Sequence, residues 1–175
     1  MQSYNAITDF IHDHLTKFSL SQQTNFVKNL IYQFSKTLTE NWLDNELDSE
    51  KPHYQTIFNQ ITSNHWQADS LKNSVIELDN IMLTMGVNYP HTTGEDLLLI
   101  LELLPYWFEL NEHAQKDTHS DQLVVSACIC LLDHFEEQAE TRLDTTISYE
   151  NWLNYPETTT GFAMINTALQ TCQKP

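Results

Sequence analysis

The sequence predicts an all-α fold, a single-domain bundle of about seven helices over residues 1–175. Three observations point there. Apolar residues recur three and four positions apart along nearly the whole chain, the period of a helix with one buried face. Only 3 Gly and 5 Pro occur in 175 residues, too few turn formers for a many-stranded sandwich or barrel. Hydrophobic residues make up 41% and aromatics 11%, enough to fill a core, which separates the chain from disordered acidic sequences.

Each element follows from its own pattern. Ile7, Phe10, Ile11, Leu15 and Phe18 mark a first amphipathic helix. Ser19 or Ser21 caps a second, whose apolar stripe runs Phe26, Val27, Leu30, Ile31, Phe34, Leu38 and Trp42. Asp44 to Glu50 reads as an acidic connector. Pro52 suits the first turn of a third helix carrying Tyr54, Ile57, Phe58, Ile61 and Trp66. Asp69 or Ser70 caps a fourth, with Leu71, Val75, Leu78, Ile81, Met82 and Met85 inward and Gly86 as its left-handed C-terminal cap. Val87 to Thr93 is a loop. Two helices then follow that are apolar around most of their circumference and belong at the centre of the bundle. One spans about Gly94 to His113, with Pro105 kinking it or opening a new segment. The other spans about Ser120 to Arg142. A short segment near Tyr149 to Tyr155 leads to a last helix, Thr160 to Cys172, with Phe162, Ile165 and Leu169 inward.

Charge narrows the function. Asp and Glu number 24 against 8 Lys and Arg, a formal charge of −16, and Arg142 is the one arginine. Direct binding of DNA or RNA phosphates needs a basic face, and the same argument disfavours anionic membrane surfaces. The most apolar run, Leu97 to Phe108, is short and interrupted by Glu102 and Pro105, so no membrane span is expected. No basic stretch followed by an apolar one opens the chain, so no secretory signal is expected. Cys128, Cys130 and Cys172 are an odd number in apolar surroundings, and free thiols imply a reducing, cytoplasmic setting.

Catalytic patterns are incomplete. A two-metal helical bundle needs Glu-x-x-His on two helices and a Glu from two others. Glu50 and His53 have that spacing across Pro52, Asp9 and His12 resemble it once, and Glu109 with His113 offers one edge of a site. No nucleophile elbow or phosphate-cradling glycine loop occurs, and Cys128 lies in an apolar run that suppresses its thiolate. The reading is therefore no enzyme, no metal and no cofactor.

The arrangement of acid is the informative feature. From Glu95 to Asp144 twelve carboxylates meet two basic residues, Lys116 and Arg142. Glu95, Glu102 and Glu109 are seven apart and share one helical stripe. Asp133, Glu137, Glu140 and Asp144, flanked by Glu136, fall on one face of the next long helix, with Val124, Ala127, Leu131 and Phe135 opposite. Glu137 and Glu140 are read as having no core contact. Packed side by side, the two stripes merge into a surface for a basic partner. Solubility alone also produces such faces. Tyr149, Trp152 and Tyr155 form a second candidate surface or cover the end of the bundle.

Phe26, Leu30, Tyr32 and Phe34, Tyr54-x-x-Ile57 through Trp66, the acidic helix pair and the Trp152–Asn154–Tyr155–Pro156 segment resemble, in order and spacing over roughly residues 26 to 170, the YjaG-like family. That is a group of small helical bacterial proteins, and the resemblance implies an all-α bundle without implying an activity.

The expected function is binding. The candidate partner-binding residues are Glu102, Glu109, Asp133, Glu136, Glu137, Glu140 and Asp144. The expected partner is a basic protein, most concretely a nuclease-type toxin met by its immunity protein. The alternative is a nucleic-acid mimic that blocks a DNA- or RNA-binding machine.

Overall fold

The computed structural model describes residues 2–38, 51–63, 65–85, 92–116 and 121–172. Every regular element among them is helical. They form α1 (Tyr4–Leu15), α2 (Leu20–Ser35), α3 (Lys51–Thr62), α4 (Ala68–Met85), α5 (Thr92–Lys116), α6 (Asp121–Leu143), a 3₁₀ segment (Tyr149–Asn154) and α7 (Pro156–Cys172). Two compact units arise from their contacts: residues up to Leu30 with those from Glu102 onward, and Ile31–Leu101.

Local chemistry sets the helix starts. Ser3 caps α1, its Oγ accepting from the Ala6 N–H at 3.3 Å. At α2 the cap is Ser19 rather than Ser21. Ser19 Oγ accepts from the Gln22 N–H at 3.4 Å, and Gln22 Oε1 accepts from the Ser19 N–H at 3.0 Å, a reciprocal capping box. The stripe of α2 ends at Ser35, so Leu38 lies past the helix, and Trp42 lies outside the described residues. Helix α7 begins at Pro156, four residues earlier than the sequence reading, because proline suits a position whose N–H has no intrahelical partner.

In the first unit, α1 buries Ile7, Ile11 and Leu15. Helix α6 buries Val124, Ala127, Cys128, Leu131, Leu132, Phe135 and Ala139, and α7 buries Ile165, Ala168 and Leu169. The two pack tightly at Gly161, where a Cβ would stand 2.5 Å from Phe135 Cδ2. Gln23, buried on α2, donates through Nε2 to Asp121 Oδ1 at 2.7 Å and joins the starts of α2 and α6.

In the second unit, α3 buries Tyr54, Ile57 and Ile61 and packs on α4, which buries Leu71, Val75 and Leu78. Gln60 ties the pair together. Its Oε1 accepts from the Gln67 N–H at 2.8 Å, and its Nε2 donates to Ser70 Oγ at 2.8 Å. The Gln67 carbonyl takes the first backbone bond of α4, from Leu71, so neither Asp69 nor Ser70 is the cap. Asp69 sits in the first turn, where the helix dipole favours a negative charge. Trp66 follows α3 instead of belonging to it. The expected cap at Gly86, the connector Asp44 to Glu50 and positions 87–91 of the expected loop lie outside the described residues, whereas Thr92 and Thr93 already belong to α5.

Helix α5 is buried around most of its described circumference: Leu99, Ile100, Leu101, Leu103, Leu104, Trp107, Phe108 and Leu110 are all inside. Pro105 lies within one continuous helix and opens no new segment. It is exposed on the same side as Glu102 and Glu109, where a carbonyl that loses its N–H partner faces water.

Candidate functional site

The candidate site is built on α5 and α6. On α6, Val124, Ala127, Leu131 and Phe135 face inward, Asp133 and Glu137 are exposed, and Glu136 and Glu140 are half-buried. Glu102 and Glu109 are exposed on α5. The two stripes meet. Cys130 Sγ of α6 donates to Glu102 Oε2 of α5 at 3.5 Å. Burial pushes the Cys130 thiol up to about 12, helped by the Glu102 and Asp133 carboxylates beside it. The Tyr106 hydroxyl is raised in the same way, by burial first and then by Cys130, Glu102 and Glu109. Glu102 and Asp133 therefore flank the same thiol, while Glu109 acts on Tyr106 of its own helix.

Three carboxylates of α6 have internal partners. Asp133 Oδ1 accepts from the Tyr4 hydroxyl at 3.0 Å. Glu136 Oε2 accepts from the Trp152 indole Nε1–H at 2.9 Å. Glu140 Oε1 accepts from the Ile147 backbone N–H at 3.0 Å, closing the turn after α6. The sequence reading gave Glu140 no core contact and did not foresee this bond: spacing shows the face the residue occupies, not the loop that returns to it. Asp144 also leaves the helical stripe. It lies past the last helical residue with φ 54°, and the Thr145 N–H behind it bonds the Glu140 carbonyl at 3.3 Å, a left-handed helix end. Glu137 is exposed and sits between these anchored neighbours.

All three donors are neutral. A phenol, an indole and an amide orient the carboxylates without cancelling their charge, and each carboxylate keeps further acceptor positions. Burial raises the Asp133 carboxyl above the ordinary range, partly opposed by the Tyr4 hydrogen bond. Burial, with the Asp133 charge and hydrogen bond, pushes the Tyr4 hydroxyl up strongly. The arginine on the same helix is engaged elsewhere: Arg142 Nε donates to Glu157 Oε1 of α7 at 2.5 Å, and that contact holds the Glu157 carboxyl down.

The aromatic triplet separates into different roles. Trp152 is fully buried, and its edge meets Tyr4 at 5.7 Å between centroids. Its carbonyl accepts from the Thr158 hydroxyl, and the next residue's N–H bonds the Gln2 carbonyl at 3.1 Å. Tyr155 is half-buried, with its hydroxyl accepting from the Ser148 N–H at 3.3 Å. Tyr149 is exposed, its ring 5.2 Å from Tyr4, and its hydroxyl is raised chiefly by a hydrogen bond to Glu136. Trp152 and Tyr155 thus close one end of the unit, while Tyr149 remains on the surface. Tyr4, 129 residues from Asp133, was not among the residues singled out from the sequence, and no local pattern marks it.

The remaining candidates stay apart. Asp9 and His12 are exposed on α1, and Glu50 and the His113 side chain lie outside the described residues. Among the described residues no three His, Cys, Asp or Glu side chains form a group that could hold a metal ion. Cys128 is fully buried, which raises its thiol strongly. The second unit has an open hollow of about 800 Å³ between α3 and α4, with His53, Asp69 and Glu77 on its walls. Among the described residues no helix is long and apolar enough to cross a membrane. No family model matches the chain, and neither a curated protein nor a solved structure matches it.

Proposed function

We propose that this is an acidic binding protein, without catalytic activity, that neutralises a basic protein partner. In its most concrete form it is a cytoplasmic immunity protein against a nuclease-type toxin. One observation carries the reading. The acidic stripes of α5 and α6 meet at the Cys130–Glu102 contact, while the single arginine is held by α7. A face kept merely for solubility is more cheaply built with interspersed lysines, which relieve repulsion along an exposed helix. Here carboxylates are oriented by neutral donors and left uncompensated, an arrangement that suits a partner supplying the positive charge. Nuclease active sites bind phosphates and are cationic around them, so an acidic helical face would occlude one by charge complementarity. The order and spacing that resemble the YjaG-like family imply a helical bundle and no activity, so the reading takes nothing from them.

Mutagenesis of surface charge tests this. Glu102→Lys, Glu109→Lys and Glu137→Lys combined should slow association with a cationic nuclease domain captured from the source organism at least about tenfold at low salt. These three are chosen because each is exposed; Glu136 and Glu140 are avoided because they hold Trp152 and Ile147. Wild-type binding should weaken steeply as salt rises past 0.15 M, where the screening length is about 8 Å. The control is Asp9→Lys with Asp13→Lys on α1, which should change the rate much less. Equal binding by both variants, insensitive to salt, rejects the proposal.

A further inference from the structure

Tyr149 adds contact chemistry to this acidic surface. At 57% it is more exposed than Ile76 or Leu143, the other large apolar side chains left open among the described residues. One exposed ring on its own is ordinary; the surroundings of this one are not. Tyr4 packs against it at 5.2 Å with the planes tilted by 47°, which fixes its position. Tyr4 in turn donates to Asp133 at 3.0 Å, Glu136 accepts from the neighbouring Trp152 at 2.9 Å, and the Glu136, Asp133 and Glu140 carboxylates together raise the Tyr149 hydroxyl. Each of these carboxylates is already oriented by a neutral donor, and no cation pairs with any of them among the described residues.

An exposed aromatic face edged by fixed carboxylates is complementary to one kind of side chain. A guanidinium is planar, weakly hydrated, stacks on a ring and directs N–H groups at carboxylates in its own plane. An ammonium interacts with the same place only as a point charge. Trp152, being fully buried, adds no wall, so the place is an open seat and not an enclosing cage. We infer that the Tyr149 ring, backed by Tyr4 and edged by Asp133 and Glu136, seats one arginine side chain of the basic partner. This rests on the acidic-face reading and adds to it a point of contact. The α5–α6 stripe attracts the partner, and Tyr149 distinguishes arginine from lysine.

The test uses two peptides of equal charge, acetyl-Gly-Arg-Gly-amide and acetyl-Gly-Lys-Gly-amide, titrated into the full chain by NMR. The arginine peptide should shift the Tyr149 ring and Glu136 side-chain signals and bind about two- to fivefold more tightly than the lysine peptide. Tyr149→Ala should abolish that preference, and Tyr149→Phe should keep it, because the ring face and not the hydroxyl carries it. The Trp152 indole N–H signal reports that each variant retains its fold. A preference unchanged by Tyr149→Ala overturns the inference, as does a Tyr149 ring silent to both peptides. Peptides that shift Glu102, Glu109 and Glu137 but not Tyr149 remove the seat and leave the acidic face standing. An arginine peptide seated at Tyr149 beside a failed charge-reversal test supports the seat and removes the neutralising role.

Discussion

Trp152 shows how much one side chain can join. Its ring is fully buried, its N–H bonds Glu136 of α6, its edge meets Tyr4 of α1, and its carbonyl receives the Thr158 hydroxyl of α7. Trp152→Phe keeps most of the apolar volume but leaves the half-buried Glu136 carboxylate without its indole donor, and it should lower unfolding free energy by about 1–3 kcal/mol in urea titrations. Trp152→Ala adds a cavity and should cost about 3–5 kcal/mol. The thiols follow burial as well. Cys128 and Cys130 are both raised by desolvation, Cys130 to about 12, so the thiolate is scarce at neutral pH. A thiol reagent should therefore label the folded chain slowly, with Cys128 last, and all three cysteines together in denaturant. Equal labelling rates in the folded protein would show that the α5–α6 contact opens readily.

Helix α6 ends on a strained residue. Asp144 adopts a left-handed conformation that glycine occupies without penalty, and its charge adds to the negative end of the helix dipole. Asp144→Gly should therefore raise stability by about 1 kcal/mol, read as a higher urea midpoint with unchanged slope. The opposite sign holds where α6 meets α7. Gly161→Ala improves helix propensity by about 1 kcal/mol, yet its Cβ would overlap the buried Phe135 ring, an overpacking penalty of about 1–3 kcal/mol. Net loss is expected, and Phe135→Leu in the same chain should recover part of it. Pro105 belongs to this scale as well. Its position on the exposed side, beside Glu102 and Glu109, explains why a residue expected to interrupt α5 is carried inside it.

The whole molecule carries a formal charge of −16, and repulsion of that size opposes compaction. Raising sodium chloride from about 0.01 to 0.15 M shortens the screening length from about 30 to 8 Å and should raise the melting temperature. Acid acts on individual groups with opposite signs. The folded-state Asp133 carboxyl is raised, so the folded chain holds that proton more tightly, and its contribution to stability grows as pH falls through the raised value toward the ordinary aspartate range. Glu157 is lowered by Arg142, so its contribution is present above the ordinary glutamate range and is lost as pH falls through the lowered value. Asp133→Asn, which still offers Tyr4 an acceptor, should thus stabilise the chain at pH 7, by less than about 1 kcal/mol at so exposed a site, and lose that advantage near pH 4. An advantage that grows toward pH 4 would contradict the direction of the Asp133 shift.

Periodicity alone determined the helical class, the inward Ile7, Ile11 and Leu15 of α1, Val124, Ala127, Leu131 and Phe135 of α6 and Ile165 and Leu169 of α7, and the exposed stripe of Glu102 and Glu109. Phe10 and Phe162, read as inward, are only half-buried, and Phe18 lies past the end of α1. A helix repeats its own geometry every 3.6 residues, and each face is therefore encoded locally. Capping is nearly as local, and Ser19 was already one of two named caps for α2. The uses of the carboxylates were not encoded that way. Spacing places Asp133, Glu136 and Glu140 on one side of α6, but their donors are Tyr4, Trp152 and Ile147, which arrive from α1, the 3₁₀ segment and a loop. A hydrogen bond spanning 129 residues leaves no mark on the pattern around either partner. The same holds for Asp144, whose left-handed backbone arises from how the chain leaves α6, and for Tyr149, which differs from Trp152 only in the side of the segment on which it lands. Local sequence chose which groups are acidic and outward; only the folded chain decided which of them are held in place and which face a partner, because burial and hydrogen bonding depend on segments far apart in sequence.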